Sequence, residues 1–210
     1  MKNKTVALIF VPCAIAFGCA SFPDAETTRA TGEQLVAEAY PGIAAELTQR
    51  AVQDAEQKAC SRRPDENLTA EEAARIVEAA RASIKYPASG KLAGDWKVGA
   101  KLVENGAGMR VRDGRVEKVK ENGALCINCH ALDPKEVNVG NVGPSLIGYG
   151  AQRGNSEAVV KYTYEKIYNA WTYFPCSYMP RLGHTGYLTP EQISHVVAYL
   201  VDRQSPVNSR

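Results

Sequence analysis

The stretch CINCH at residues 126–130 constrains this 210-residue chain more than any other feature of its sequence. The pattern C-x-x-C-H is typical of covalent c-type haem attachment. Because Cys126 and Cys129 lie about one helical turn apart, both sulfurs can reach the vinyl groups on one edge of a porphyrin. His130 follows directly, and its imidazole can bind the haem iron. The motif occurs once, so we predict one covalently bound haem c.

Two other uses of this cysteine pair fit the sequence less well. A structural zinc site needs a second pair of Cys or His ligands at short spacing, and the sequence has no such pair. A thioredoxin-like redox pair needs a βαβ context, which the sequence pattern also lacks. Haem attachment is therefore the favoured interpretation.

Net charge excludes one class of partner. The formal net charge is +2, and no run of Lys or Arg forms a basic block. Because nucleic-acid binding depends on clustered positive charge, we expect no nucleic-acid partner.

The first 20 residues have the pattern of an export signal. Lys2 and Lys4 precede an apolar, uncharged stretch, and small residues end it. We therefore expect residues 1–20 to be cleaved and the mature protein to lie in the periplasm. An alternative stays open, because Gly18-Cys19 is also a degenerate lipoprotein site. A lipid on Cys19 would tether the protein to a membrane surface.

The stretch CSYMPRLGH at residues 176–184 holds three side chains that can bind a metal: those of Cys176, Met179 and His184. The region resembles class I cytochromes c, in which a Met-Pro pair well downstream of the haem motif supplies the distal iron ligand. Pro180 restricts Met179 to extended backbone and would hold this loop rigidly. A thioether ligand raises the reduction potential of haem, which suits an electron relay.

Other candidates for the distal position are less favourable. Met109 lies in a charged stretch before the haem motif and is expected in a surface loop. His195 is predicted to lie on a helix opposite the apolar stripe that includes Val196, and therefore in solvent. His184 lies in a glycine-rich turn and is expected at the surface or at the haem edge, with no assigned chemistry.

Cysteine usage predicts a disulfide. Of the six cysteines, two lie in the signal segment and two in the haem motif. Cys60 and Cys176 remain as an even pair in an oxidising compartment, where a bond between them would tie the extension to the ligand loop. The alternatives are two separate buried thiols, or Cys176 as a ligand of haem or copper.

The chain divides into a helical extension over residues 21–90 and a haem domain over residues 91–210. Residues 21–32 are polar and expected to be irregular. Thr69 and Glu72 form a capping box that predicts a helix from Ala70 to about Lys85. In the haem domain, further helices are predicted to begin near Trp96, Ser156 and Pro190, with a hairpin around Asp113-Gly114. The predicted fold class is mainly α, a class I cytochrome c-like domain with an N-terminal helical extension.

Beyond the haem motif, residues 86–208 resemble the SoxX family, the monohaem subunits of the SoxAX cytochromes of bacterial sulfur oxidation. The stretches that carry the resemblance occur in order: YPASGKLAGDWKVGAKL, CINCHALDPKEVNVGNVGPSLIGYG, VVKYTYEKIYNAW, CSYMPRLGHTGYLTPEQI and SPVN. The stretches KYTYEKIYNA and MPRLGHTG are far more specific than the haem motif.

The resemblance implies a role for each site residue. Cys126 and Cys129 would bind haem, with His130 as proximal and Met179 as distal ligand. In cytochromes c, a proline at the position of Pro144 gives its carbonyl to the proximal histidine, which orients the imidazole and tunes its basicity.

The resemblance also implies partners. SoxX pairs with SoxA, which holds its own haem and a reactive cysteine. Together they oxidatively join thiosulfate to a cysteine of the carrier SoxYZ and pass electrons to a cytochrome acceptor. This chain would be the electron-transfer subunit of that L-cysteine S-thiosulfotransferase, without a catalytic site of its own. The alternatives are a free-standing periplasmic electron carrier, or an enzyme in its own right, such as a haem peroxidase, which would need an open iron site.

Overall fold

The computed structural model describes residues 25–39, 52–61, 67–105, 109–112, 115–118, 123–135 and 140–209. The predicted signal segment, including Cys19, lies outside the described residues. Seven helices are described: α1 Ala25–Ala39, α2 Ala55–Cys60, α3 Ala70–Ala82, α4 Trp96–Glu104, α5 Tyr149–Arg153, α6 Glu157–Tyr168 and α7 Pro190–Val201. Short 3-10 turns occur at Cys126–Asn128, Ala170–Thr172 and Pro206–Asn208. The prediction of a mainly α fold is confirmed.

The core of the haem domain is built around α7, which contacts α4, α5 and α6. Helices α4 and α7 cross so closely that a Cβ on Gly99 would lie 2.0 Å from the carbonyl oxygen of His195. Only glycine leaves room for the two backbones at this crossing. Because three helices surround α7, most of its residues are buried, including Ile193, Val196 and Val197.

The expected exposure of His195 is wrong. Its side chain is half-buried, and its Nδ1 accepts a hydrogen bond from the Asp95 N–H at 2.8 Å. The apolar stripe placed His195 on the far side of the helix from the core. That far side is covered by the start of α4, a contact that helical periodicity alone does not reveal.

The extension contains two helices that begin with capping boxes. In α2, the Asp54 side chain accepts from the Gln57 N–H at 2.7 Å, and Gln57 reciprocates. In α3, the capping box of Thr69 and Glu72 is formed as predicted. Each box satisfies backbone donors that the first turn leaves unpaired. Helix α1 begins at Ala25, so the expectation of irregular structure over residues 21–32 is wrong for the described part.

Helix α3 ends at Ala82, three residues before the predicted end. Ser83 donates its hydroxyl to the Ala80 carbonyl and accepts from the Asn169 side chain. The carbonyl of Lys85 accepts from the Tyr164 hydroxyl at 2.7 Å. These polar groups bind the haem domain instead of continuing the helix, so the tertiary contact sets the end. The division between extension and haem domain near residue 90 stays a prediction.

Strands β1 Met109–Arg112 and β2 Arg115–Lys118 form an antiparallel pair in which Val111 lies opposite Val116. The predicted turn, Asp113-Gly114, lies between them but outside the described residues. Within the described ranges, none of the helices has the length and apolarity needed to cross a bilayer.

Candidate haem site

A cavity of about 680 Å³ lies in the haem domain and is bordered by Cys126, Cys129, His130 and Met179. Its volume is in the range typical of pockets for cofactors and small ligands. Most of its remaining wall is apolar, formed by side chains such as Val103, Leu132, Ile167, Leu182, Leu188 and Leu200. The structure therefore gathers the four predicted haem-binding residues around one apolar space.

The two haem-motif cysteines lie on a tight turn. Leu125 has a positive φ of 43° and redirects the chain into the 3-10 turn Cys126–Asn128. The N–H groups of Cys129 and His130 both donate to the Cys126 carbonyl, at 3.1 and 2.9 Å. Neither cysteine forms a disulfide, and before haem is attached burial raises the pKa of the Cys126 thiol to about 11. This turn brings two thiols and an imidazole to the same wall of the cavity.

The orientation of His130 is fixed by a backbone carbonyl. Its Nδ1 lies 2.7 Å from the oxygen of Pro144. A carbonyl oxygen only accepts, so Nδ1 carries the hydrogen and Nε2 is the basic nitrogen. An imidazole with a free Nε2 is the form that binds iron, and the bond to Pro144 makes that nitrogen a stronger ligand.

Gly143 is a site residue that the sequence interpretation missed. A Cβ at this position would lie 2.3 Å from Cε1 and 2.6 Å from Nδ1 of the His130 ring. The ring therefore packs directly against the Gly143 backbone. The only sequence signal was the turn GPSL, which indicates a bend but not a contact with His130.

We expect Gly143→Ala to displace the His130 ring. Overpacking of this kind costs about 1–3 kcal/mol of stability. Loss of the bond to Pro144 makes the imidazole a weaker donor to ferric iron, so the reduction potential should rise. Thermal unfolding and a redox titration of the haem-loaded protein measure both effects. Gly32→Ala is the control, because a Cβ there meets nothing within 4 Å. Equal behaviour of the two variants would contradict the role given to Gly143.

Met179 lies in the loop between the turn Ala170–Thr172 and α7. Its N–H donates to the Ser177 hydroxyl at 3.2 Å, and its side chain is half-buried. The side chain packs against both hydrophobic clusters of the protein, that of the haem domain and that around Ile76 and Trp171. Met179 is thus held by contacts on two sides while it borders the cavity.

The predicted disulfide between Cys60 and Cys176 is confirmed, with a Cα–Cα distance of 5.3 Å. It joins the end of α2 to the loop that carries Met179. Both alternatives, separate buried thiols and Cys176 as a metal ligand, are therefore wrong. Cys176 has a positive φ of 59°, which lets the chain turn sharply before Met179.

A salt bridge that the sequence did not indicate lies beside the same loop. Arg181 is 7% exposed and donates to the Asp54 carboxylate at 2.6 Å. Burial raises the pKa of Asp54, but the Gln57 N–H and Arg181 together hold it below its usual value. Asp54 is therefore ionised at neutral pH. The two residues are separated by 127 positions in the chain, so no local pattern could connect them.

The remaining candidates lie elsewhere. His184 is not among the cavity residues; its Nε2 lies 3.8 Å from the Asp54 carboxylate, and its side chain is 32% exposed. Burial and the nearby Arg181 lower the pKa of His184 despite the attraction of Asp54, so it is neutral at pH 7. Met109 lies in β1. In the described part of the chain, no group of three His, Cys, Asp or Glu residues could hold a bare metal ion.

The residues around the cavity fit a haem c. Two thiols separated by two residues, a nearby imidazole and a thioether form the donor set of this cofactor, and the apolar wall suits a porphyrin face. Haem supplies one-electron chemistry when bound. This chain's residues would attach it, bind its iron and exclude water.

Comparison with known proteins agrees with this geometry. A family model described as cytochrome c matches residues 116–204. An uncharacterized lipoprotein of Aquifex aeolicus (strain VF5) is 41% identical over 158 residues, which cover 75% of this chain and 74% of that protein. The match and the haem-motif geometry identify a haem electron-transfer protein with covalently bound haem c. Residues 116–204 therefore form a domain of the cytochrome c family, which confirms the predicted cytochrome c-like fold.

Proposed function

We propose that this chain is the electron-transfer subunit of a SoxAX complex, which joins thiosulfate to a cysteine of the carrier SoxYZ. The observation that carries the proposal is that His130 and Met179 border one cavity. An iron with both axial positions filled by protein exchanges electrons without binding substrate. The ordered resemblance of residues 86–208 to SoxX supports the particular complex.

In this proposal each site residue has one role. The thiols of Cys126 and Cys129 would hold a single haem covalently. Nε2 of His130, made basic by the bond to Pro144, would bind the iron. The sulfur of Met179 would be the second iron ligand, and a thioether there would raise the reduction potential.

The overall reaction balances with this chain as electron acceptor. Thiosulfate and the SoxYZ thiol form a sulfur–sulfur bond, which releases two electrons and one proton. The reactive cysteine of SoxA and the haem that SoxA itself holds would mediate bond formation. One electron at a time would pass to the haem of this chain and then to a cytochrome acceptor.

A free-standing electron carrier is the second candidate, and one observation favours it. The extension packs on its own chain, through the disulfide to Cys176, the salt bridge to Arg181 and the contact of α3 with Trp171. The existence of an extension therefore does not by itself imply a partner.

Purification of the tagged protein from its own host separates the two candidates. A SoxAX subunit should copurify with a second c-type cytochrome, and its haem should be reduced by thiosulfate only when a SoxYZ carrier is present. A monomer that shows no carrier-dependent reduction would contradict the proposal and favour the free carrier. The red absorption band of methionine-ligated ferric haem should persist with thiosulfate; its loss would favour an enzyme with an open iron site.

We further propose that the protein acts in the periplasm after export by residues 1–20. The name of the Aquifex aeolicus relative, a lipoprotein, supports the alternative in which Cys19 carries a lipid and tethers the protein to the membrane surface. Mass spectrometry of the mature N-terminus distinguishes the two. A chain that begins at a diacylated Cys19 indicates tethering, and one that begins near Ser21 indicates simple cleavage.

A further inference from the structure

We propose that the extension holds Met179 on the haem iron through two positioning residues, Trp171 and Arg181. The strength of the iron–methionine bond would then be set partly by residues outside the haem domain. The inference rests on the proposed role of Met179 as distal ligand. It gives the extension the function of keeping Met179 bound to the iron.

Trp171 holds the loop on the N-terminal side of Met179. It lies in the turn Ala170–Thr172 and is 7% exposed. Its Nε1–H donates to the Ser177 carbonyl at 2.8 Å. The Ser177 hydroxyl in turn accepts from the Met179 N–H at 3.2 Å. The indole is therefore connected to the Met179 backbone through a single intervening residue.

The same indole holds the loop on the C-terminal side. The Arg181 guanidinium lies 4.2 Å from the centre of the Trp171 ring, a distance typical of a cation–π contact. Ser177 and Arg181 lie two residues before and two residues after Met179. One rigid side chain thus contacts both flanks of the ligand, which restricts the positions that its sulfur can take.

The extension in turn holds Trp171 and Arg181. Ile76 and Ala80 of α3 form a buried cluster with Trp171. The Asp54 carboxylate at the start of α2 pairs with Arg181 at 2.6 Å. Because Arg181 is almost fully buried, loss of its counterion would leave a charge without compensation and destabilise this arrangement.

Such positioning matters because a thioether is a neutral ligand that an external ligand can replace. Imidazole binds the iron only in molecules from which Met179 has dissociated. Its apparent affinity is therefore proportional to the population of that open state. A change in imidazole affinity measures how firmly the loop holds Met179, which global stability does not report.

Asp54→Asn is the first test. Asparagine keeps the N-cap of α2 but removes the charge that faces Arg181. We expect imidazole to bind the ferric, haem-loaded variant about tenfold more tightly, the effect of losing one charge-assisted hydrogen bond. Asp54→Glu, which keeps the carboxylate, should bind imidazole with nearly the wild-type affinity. Asp95→Asn is the matched control, because Asp95 caps α4 by accepting from the Lys97 N–H and does not contact the ligand loop.

Trp171→Phe is the second test. Phenylalanine keeps an aromatic face for Arg181 but removes the donor to Ser177, so imidazole affinity should again rise by about tenfold or more. The control is Trp96→Phe, a change of the other tryptophan, on α4. For each variant, the red absorption band of methionine-ligated ferric haem, the reduction potential and the melting temperature are also measured.

The outcomes separate the possibilities. If Asp54→Asn and Trp171→Phe bind imidazole no more tightly than their controls, the network is only structural and the inference is wrong. If the wild-type protein lacks the methionine band, the ligand assignment itself fails. Absence of a SoxA partner affects only the proposed complex, because imidazole binding is measured on the isolated chain.

Discussion

Replacing Met179 with alanine should abolish the red methionine band of the ferric protein and lower the reduction potential. The haem would lose the thioether that favours the ferrous state. Axial ligands set haem potentials over roughly 0.8 V, so the shift should be among the largest that one substitution can cause here. A spectrum and a redox titration of the purified holoprotein measure it.

Met109→Ala is the control for this substitution. Met109 lies in β1, before the haem motif, and its replacement should leave both the band and the potential unchanged. If Met179→Ala keeps the wild-type band, another residue is the distal ligand. The proposed electron-transfer role would then lose the observation on which it depends.

Removing the disulfide by the double substitution Cys60→Ser and Cys176→Ser should lower the free energy of unfolding by about 4 kcal/mol. The bond joins residues 116 positions apart, and closing a loop near this length restricts the unfolded chain strongly. For a protein of this size, we expect the melting temperature to fall by about 10 °C. Urea unfolding of wild-type and double-variant holoproteins provides the comparison.

Reduced wild-type protein is the internal control for the disulfide. The cysteines of the haem motif are thioethers in the holoprotein and resist mild reductants, so dithiothreitol should open only the bond between Cys60 and Cys176. The reduced protein should then unfold at the same urea concentration as the double variant. If the free energy of unfolding falls by less than about 1 kcal/mol in both the reduced wild-type protein and the double variant, the unfolded chain gains little freedom when the bond opens.

Features encoded in short stretches of sequence were predictable. The capping box of Thr69 and Glu72 and the proline at the start of α7 correctly located two helix starts. The C-x-x-C-H motif correctly indicated that the segment around Cys126 and Cys129 borders the cavity. The disulfide followed from counting cysteines, because only Cys60 and Cys176 were left to pair.

Features that depend on contacts between distant segments were not predictable. The pairing of Asp54 with Arg181 is one example, because the two residues lie 127 positions apart in the chain. The burial of His195 depends on α4, and the need for glycine at position 143 depends on the ring of His130. The end of α3 was misplaced for the same reason, since Ser83 and Lys85 bind the haem domain.

The position of the disulfide has a consequence for maturation of the protein. Cys60 and Cys176 lie on either side of the haem motif in the chain, so four thiols outside the predicted signal segment can pair with one another until a haem is attached. Four thiols allow three pairings, and the neighbouring Cys126 and Cys129 would meet most often because the loop between them is short. Haem attachment before oxidation removes those two thiols and leaves a single possible pair. We therefore expect the bond between Cys60 and Cys176 to form most efficiently when haem attachment comes first.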